Sequence, residues 1–543
     1  MRLTIDFTEK PVHSPEYLDL LKKFDLPPHG LTAKQIRFLH YSFRNEINVF
    51  FRKCDLSGDT IMSQFPPKSP FKVFKHDLWW SQDFEVPEAE YNPEESFFVQ
   101  FRRLQLQVPR MSVACDSTIA NSPYVNCVNH CKDCHMIFAS GSDEDCFYSI
   151  NLERSQSTMN ASIAHECNLC HEITSCRTCY NLDFSAYCIA CSDSRFLYDC
   201  RRCRNCFLCV GLIGKEYCIL NKQYSKEDYE REIKKYEFLT HESIEACYKQ
   251  LENLKVGYIH KYANIIGSEN CTGNDISFSQ NCLNSYIVEY SKDCINGTSL
   301  RHCNDCLDFD LWGDPGELCY NSMSCGYGAY YLRMCFDCWN NCRFLTYCDS
   351  CPGSEECFGC IGLKRRKYCI LNKQYTKEAY EKKVAEIISD MKTRGEWGQF
   401  FPPFCSPYAL NNSMANEYFE VNKNLADELG YEWMDKSSES KHDPALVYSG
   451  SKMSTGLDYK DLKGKVFLCE KTGLPFNIQA KELELLQRKK LPLPNKHWRI
   501  RFEERDQNFI FPWETTLRQS SDTHKEMSSP IPQKYAIREQ AID

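Results

Sequence analysis

The sequence is poor in the residues that punctuate irregular chains. Glycine and proline contribute 23 each to 543 residues, which excludes collagen-like and low-complexity classes. No apolar run approaches the roughly 18 residues of a membrane-spanning helix, and the opening MRLTIDFTEKPVHSPEY carries charge from position 2 onward without the apolar core of a secretory signal. Positive charge is not in excess. The 65 Lys and Arg stand against 74 Asp and Glu, a net charge of −9, so no global field draws in phosphate backbones or anionic lipid. P-loop, G-x-G-x-x-G, G-x-S-x-G and H-E-x-x-H motifs are missing, and with them any positive evidence for an enzyme. These absences point to a cytoplasmic protein with no membrane partner, and 42% apolar content suffices to build cores in about three or four folded units.

Cysteine is what the chain has in abundance. Of 35 Cys, 32 fall between Cys115 and Cys369. In a reducing compartment such thiols bind metal, cycle catalytically, or pack as small apolar side chains. An internal duplication decides how they are organised: Cys209–Glu230 and Cys360–Glu381 are identical at 15 of 22 positions at an offset of 151, which also superposes Cys191 on Cys342, Cys200 on Cys351 and Cys206 on Cys357. A finer period runs inside each copy. Cys271, Cys282, Cys294, Cys306 and Cys319 are separated by 11, 12, 12 and 13 residues, and Cys115–Cys127, Cys134–Cys146 and Cys179–Cys191 are each 12 apart. Polar turn residues alternate with short strand-favouring runs around them.

This pattern predicts a mainly β protein of two stacked or tandem β-solenoid segments, with a coil of about 12 residues, or about 24 in two half-coils, and one inward position per period filled by Cys. Both copies end on Asn-Lys-Gln-Tyr and then on Ser225 or Thr376 as an N-cap, so a helix is expected to cover each bare sheet edge. The expected segments are an N-terminal α+β module at 1–110, a first solenoid at 111–224, connecting helices at 225–262, and a second solenoid at 263–375. A capping helix at 376–397, an irregular linker at 398–462, a C-terminal module at 463–513 and a disordered tail at 514–543 follow.

Eleven C-x2-C pairs, overlaps counted, have zinc-knuckle spacing. The densest run is Cys200, Cys203, Cys206 and Cys209, but the duplicate has Ser354 where the first copy has Cys203, so a four-thiol site is not kept in both. Two C-x2-C-H sequences, ending in His135 and His171, resemble haem attachment; without export they read as exposed rung residues of the repeat. The favoured account is reduced Cys filling a narrow interior, with zinc as the one cofactor held open. Local basic runs include Arg37, Arg44 and Arg52 near the front and Lys489, Lys490, Arg499 and Arg501 near the back. They are candidate nucleic-acid contacts, read against the commoner solvated face.

The segments KYCILNKQYTKEAYE, CDLSG, DLWWSQDF and GEWGQFFPPFCSPYALNNSMANEYF resemble a cysteine-rich repeat family of uncultured, small-genome bacteria. The likeness covers most of residues 15–510. It implies zinc-ribbon-like flanks in which a C-x2-[ST]-G knuckle is completed by a C-P-x-C-R-H segment after Leu-Pro-x-Pro. By that pattern Cys54 and Cys469 are metal ligands. The chain departs from it, because His29 follows Leu26-Pro-Pro28 and Asn495 follows Leu491-Pro-Leu-Pro494, so the second Cys pair is absent at both ends. The expected function is a non-catalytic repeat scaffold binding a partner macromolecule along a solenoid face. The alternatives are a zinc-stabilised nucleic-acid-binding protein using the basic flanks, and an enzyme acting on a polymer along the β-helix face.

Overall fold

The computed structural model describes residues 2–295 except positions 24, 29, 82–83, 238 and 262, then 297, 342–435, 447, 462, 464–506, 516–519 and 526–529. The chain forms two compact units. One comprises Met1–Val113, Lys261–Asp435 and Phe511–Asp543; the other comprises Ala114–His260 and Lys436–Ile510. Each therefore joins one cysteine-rich repeat to one flanking module. Among the described residues no helix is long and apolar enough to cross a membrane.

The second unit is built on a ten-stranded, mostly parallel sheet whose strands, from Tyr124–Asn129 to Lys222–Gln223, lie in sequence order. Partners are 12 residues apart, as in Ala161↔Ile173, Ala164↔Cys176 and Leu197↔Cys209. The same offset governs bridges outside the strands: Lys132↔Glu144, Glu144↔Gln156, Arg177↔Ile189 and Ile189↔Arg201. Outward main-chain groups thus find partners one period away; the Lys132 amide donates to the Asp143 carbonyl, and the Asp145 amide to that of Lys132.

The local cause of the 12-residue period is a triplet. Every third residue from Cys127 to Leu220 has positive φ, and four such triplets make one period. Left-handed backbone costs an L-residue roughly 1 kcal/mol, and Asn and Asp tolerate it best. Asn160, Asn181, Asp193 and Asn205 stand there, but so do Ile163, Phe184 and Phe196, which shows why so little glycine is needed: the periodic pairing imposes the conformation.

The other consequence corrects the expected single inward position. The first residue of every triplet from Cys131 to Cys209 is at most 4% exposed, so inward side chains recur every third residue, four to a period. Cys fills about half of these places, and Ser, Thr, Ala, Ile, Leu and Asp143 fill the others. The Cys115–Cys127 interval does not mark equivalent places: Cys115 pairs with Val128, and Cys127 is a half-buried left-handed residue.

The C-terminal edge of this sheet is closed as the Asn-Lys-Gln-Tyr motif implies. Lys222–Gln223 turns back antiparallel on Glu216–Ile219, pairing Gln223 with Cys218. The Ser225 hydroxyl then accepts from the Asp228 amide at 3.1 Å and starts the helix Lys226–Ile233. The helix His241–Val256 packs along strands Ser192–Tyr198 and Arg204–Val210.

In the first unit Ile265↔Ile276 and Asn274↔Tyr286 give offsets of 11 and then 12, matching the uneven Cys spacing there. Strands Arg343–Thr346, Glu355–Phe358 and Lys367–Ile370 are parallel at an offset of 12, and Lys373–Gln374 closes the edge antiparallel. Cys306 and Cys319 lie outside the described residues. Helix Lys377–Arg394 is capped by Thr376, whose hydroxyl accepts from Ala379 at 3.3 Å. It packs with helix Phe97–Gln107 into an apolar cluster in which Phe97, Phe101, Tyr347, Phe358, Ile387 and Met391 are buried.

The stretch read as an irregular linker contains short helices at Ala415–Tyr418 and Lys423–Leu429. Within the expected tail, Thr516–Gln519 pairs antiparallel with Glu526–Ser529.

Candidate functional site

Among the described residues most inward thiols of the repeats share one occupation. An inward Sγ at position i donates to the carbonyls of i−2 and i+9: Cys170 to Asn168 at 3.4 Å and Cys179 at 3.6 Å, Cys200 to Tyr198 at 3.5 Å and Cys209 at 3.6 Å. Inward hydroxyls do the same, Thr158 to Gln156 at 3.1 Å and Cys167 at 3.2 Å. The inward amide one period on is received by the same side chain: Leu197 N–H donates to Ser185 at 2.9 Å, Cys206 N–H to Ser194 at 2.9 Å, and Asn372 N–H to the Cys360 sulfur at 3.4 Å. An inward polar side chain is therefore small, donates once or twice, and accepts once, while Ala, Ile and Leu take other inward places without such bonds. Cys, Ser and Thr meet that requirement, which explains their mixture in the columns.

Burial is the largest influence on several of these thiols, and hydrogen bonds between neighbouring sulfurs are the largest on others such as Cys167, Cys200 and Cys369. Burial pushes the Cys115 thiol up to about 12 and raises Cys188, Cys351 and Cys360 well above the usual thiol range. Where sulfur neighbours donate to a thiol the direction reverses: Cys167 and Cys176 hold Cys179 down, and Cys360 and Cys369 hold Cys357 down. The one inward carboxyl from Cys131 to Cys209, Asp143, accepts from the Ser155 amide at 2.8 Å, and burial pushes it up to about 7.

Cys200, Cys203, Cys206 and Cys209 are four successive inward residues, and each is turned to main-chain carbonyls. Cys203 donates to Arg201 at 3.4 Å and Leu212 at 3.3 Å, and Cys206 donates to Arg204 at 3.3 Å. In the other copy the Ser354 hydroxyl donates to Leu363 at 3.5 Å and accepts from the Arg366 amide at 3.2 Å. These are the duplicates of Leu212 and Lys215, so oxygen replaces sulfur with both of those partners kept. Among the described residues no group of three or more His, Cys, Asp and Glu is arranged to hold a metal ion.

Cys54 and Cys469 occupy matching knuckles. The Cys54 amide donates to Asp59 at 2.8 Å while Gly58 donates back to Cys54 at 2.9 Å; the Cys469 amide donates to Leu474 at 2.9 Å while Gly473 donates to Cys469 at 2.8 Å. Both follow the first strand of a hairpin, Phe50–Lys53 with Thr60–Ser63 and Phe467–Leu468 with Pro475–Phe476. Burial raises each thiol, but hydrogen bonds from Ser57, Lys75 and Leu56 bring Cys54 below the usual range, and those from Thr472, His497 and Lys471 do so for Cys469. The ligand-type turn is present in both units, each with one Cys.

The seven basic candidates are largely internal. Arg37 reaches the Asn284 carbonyl at 3.4 Å and lies over the Tyr286 ring at 4.8 Å; Arg44 pairs with Glu46 at 2.5 Å and Arg52 with Asp55 at 2.9 Å. Lys489, only 4% exposed in its side chain, meets Asp183 at 2.6 Å. Burial pushes the Asp183 carboxyl up, and Lys489 and Arg195 outweigh it to hold it below the usual range. Arg499 pairs with Glu503 at 3.3 Å, Arg501 with Glu482 at 3.1 Å, and Lys490 with Glu237. Of the seven, Lys490 alone has more than a third of its side chain exposed. Arg37, Lys489 and Lys490 fasten flanking segments to their own units while the other four pair with carboxylates of their own flank, uses that charge counting along the sequence does not separate from a phosphate contact.

The histidines of the two C-x2-C-H sequences depart from the exposed rung positions expected of them. His135 is half-buried and His171 is buried, 6% exposed. Both stand on the outer side of thiols that face inward, and burial lowers them to about 4 and about 3. His171 lies beneath the helix and flank of its unit, and only tertiary packing reveals that. No protein-family model and no curated protein matches the chain.

Proposed function

We propose that the protein is a non-catalytic scaffold in which each repeat is a β-solenoid of 12 residues per coil, and that an outward face of the coil binds a partner macromolecule. The observation that carries this reading is the saturation of the interior: inward sulfur and hydroxyl groups are occupied by main-chain partners, so the repeated thiols supply architecture. What remains for recognition is the outside. Lys132, Glu144, Gln156 and Asn168 follow one another at 12-residue intervals; Lys132 pairs with Glu144 at 2.7 Å, and the Asn168 amide donates to Gln156 at 3.2 Å. Arg154 and Glu166 make a parallel pair at 3.1 Å. Strand neighbours lie about 4.8 Å apart, so this polar ladder offers equally spaced contacts to an extended partner. The commitment of the basic candidates to internal carboxylates and carbonyls favours it over the nucleic-acid reading.

A photo-crosslinking side chain at position 156 or 168, introduced into the full chain in its own cells, tests the reading. One discrete macromolecular adduct from both positions, lost when Lys132 and Arg154 are reversed to Glu, is the expected result. Adducts that are the same from the ladder and from the covered position 248 would refute it.

A further inference from the structure

The unit that contains the first repeat holds a cavity of about 340 Å³, walled by the sheet, the helix His241–Val256 and the C-terminal module. That volume is within the range of small-molecule sites. Three side chains of its lining present oxygen atoms that no internal group bonds. The Glu172 side chain keeps 19% of its surface exposed, and its one ion-pair contact among the described residues, Arg505 at 3.8 Å, is beyond hydrogen-bonding reach. Thr174 is only 5% exposed. Among the described residues its hydroxyl has no hydrogen-bond partner and is not sealed off by neighbouring atoms, so it opens to the cavity it lines. The same holds for the hydroxyl of Tyr248, whose ring is set edge-on against Phe184 at 6.0 Å and Phe196 at 5.4 Å. Buried hydroxyls are rarely left in this way.

The three groups share one space. Glu172 and Thr174 are neighbours on the strand His171–Arg177, and the Glu172 charge adds to burial in raising the Tyr248 phenol. What this space lacks is a cation. Lys255 is taken by Glu252 at 2.8 Å, Lys496 by Glu504 at 2.7 Å and Arg501 by Glu482 at 3.1 Å. With Glu482, the cavity and its rim hold five carboxylates against four Lys and Arg. Burial raises the Glu172 carboxyl, as expected of a group short of counter-charge. An ammonium has three N–H donors and no acceptor, so one carboxylate and two hydroxyl oxygens satisfy it completely. Ile244, Leu251, Leu486 and Leu491 on the same lining provide an apolar bed for an attached carbon body.

We propose that this cavity binds a small primary amine, its ammonium held by Glu172, Thr174 and Tyr248 and its apolar body packed between the helix and the C-terminal module. The inference stands independently of the scaffold reading, since it concerns the covered side of the sheet.

Calorimetry of the full chain tests it with phenethylamine and hexylamine as probes. The matching alcohols remove the charge, and the N-trimethyl derivatives keep the charge without N–H donors. Saturable binding of at least one amine is expected, with both of its control compounds weaker by about tenfold or more. Glu172→Gln and Thr174→Val should each weaken that binding by a similar factor, whereas Glu166→Gln, on the outer ladder, should leave it unchanged. No saturation by either amine up to about 10 mM, equal binding of a control compound, undiminished binding in a folded Glu172→Gln or Thr174→Val variant, or an equal loss in Glu166→Gln would overturn the proposal. If one cavity variant fails to fold, the other and the control compounds decide.

Discussion

Replacing Cys203 separates packing from metal binding, because the chain has already made the same exchange in its other copy. Cys203→Ser retains a donor for the Arg201 and Leu212 carbonyls and an acceptor for the Lys215 amide, as Ser354 does for Leu363 and Arg366. Its cost should stay below about 1 kcal/mol. Cys203→Ala removes a buried group worth about one methylene, ~0.8 kcal/mol, and leaves an amide and a carbonyl short of a partner at about 1 to 3 kcal/mol. Together these give about 2 to 4 kcal/mol. Urea unfolding followed by circular dichroism reads the difference as a shift in midpoint at constant slope. If the four thiols from Cys200 to Cys209 enclosed a metal, Ser and Ala would be equally damaging and the ion would be released. Equal, large losses with a change in metal content would refute the hydrogen-bonding explanation.

In the first unit, Cys282→Ala and Cys294→Ala should each cost about 1 to 2 kcal/mol through lost packing with unchanged metal content, measured by the same unfolding assay. Asp143 is an inward carboxyl pushed up to about 7 by burial. Its native state binds a proton more readily than its unfolded state, so its contribution to stability falls as pH rises from about 4 to 7 and is level above. Three pKa units correspond to about 4 kcal/mol at most. Asp143→Asn should raise the melting temperature at pH 8 and flatten that dependence; an unchanged profile would contradict the assignment. Lys489→Met strands Asp183, with Arg195 as its remaining cation at 3.1 Å, and should cost about 3 kcal/mol. A folded variant of unaltered stability would show that the pair is not structural.

The duplication, the 12-residue spacing and the capping helices were legible because Cys, Asn-Lys-Gln-Tyr and the Ser225 and Thr376 caps are strings that repeat visibly. The triplet was not. Its inward places are shared among Cys131, Ile137, Ser140, Asp143 and Ala161, residues that no hydropathy pattern groups together, although all are buried. Its left-handed places admit Phe184 and Ile163 as well as Asn160, so they carry no single-residue mark. The tertiary roles of Lys489, Arg501 and His171 were equally hidden. Lys489 needs Asp183, 306 residues away, Arg501 needs Glu482 on the preceding helix, and His171 needs a covering helix, before a basic run becomes an internal tie or a rung histidine becomes a cavity wall.

The most direct measurement is a combined thiol titration and elemental analysis of the full chain purified under reducing conditions and then unfolded. If interior sulfur serves the main chain alone, all 35 cysteines titrate as free thiols and no metal is found in whole-number proportion to protein. A stoichiometric metal released together with about four thiols per ion would contradict it.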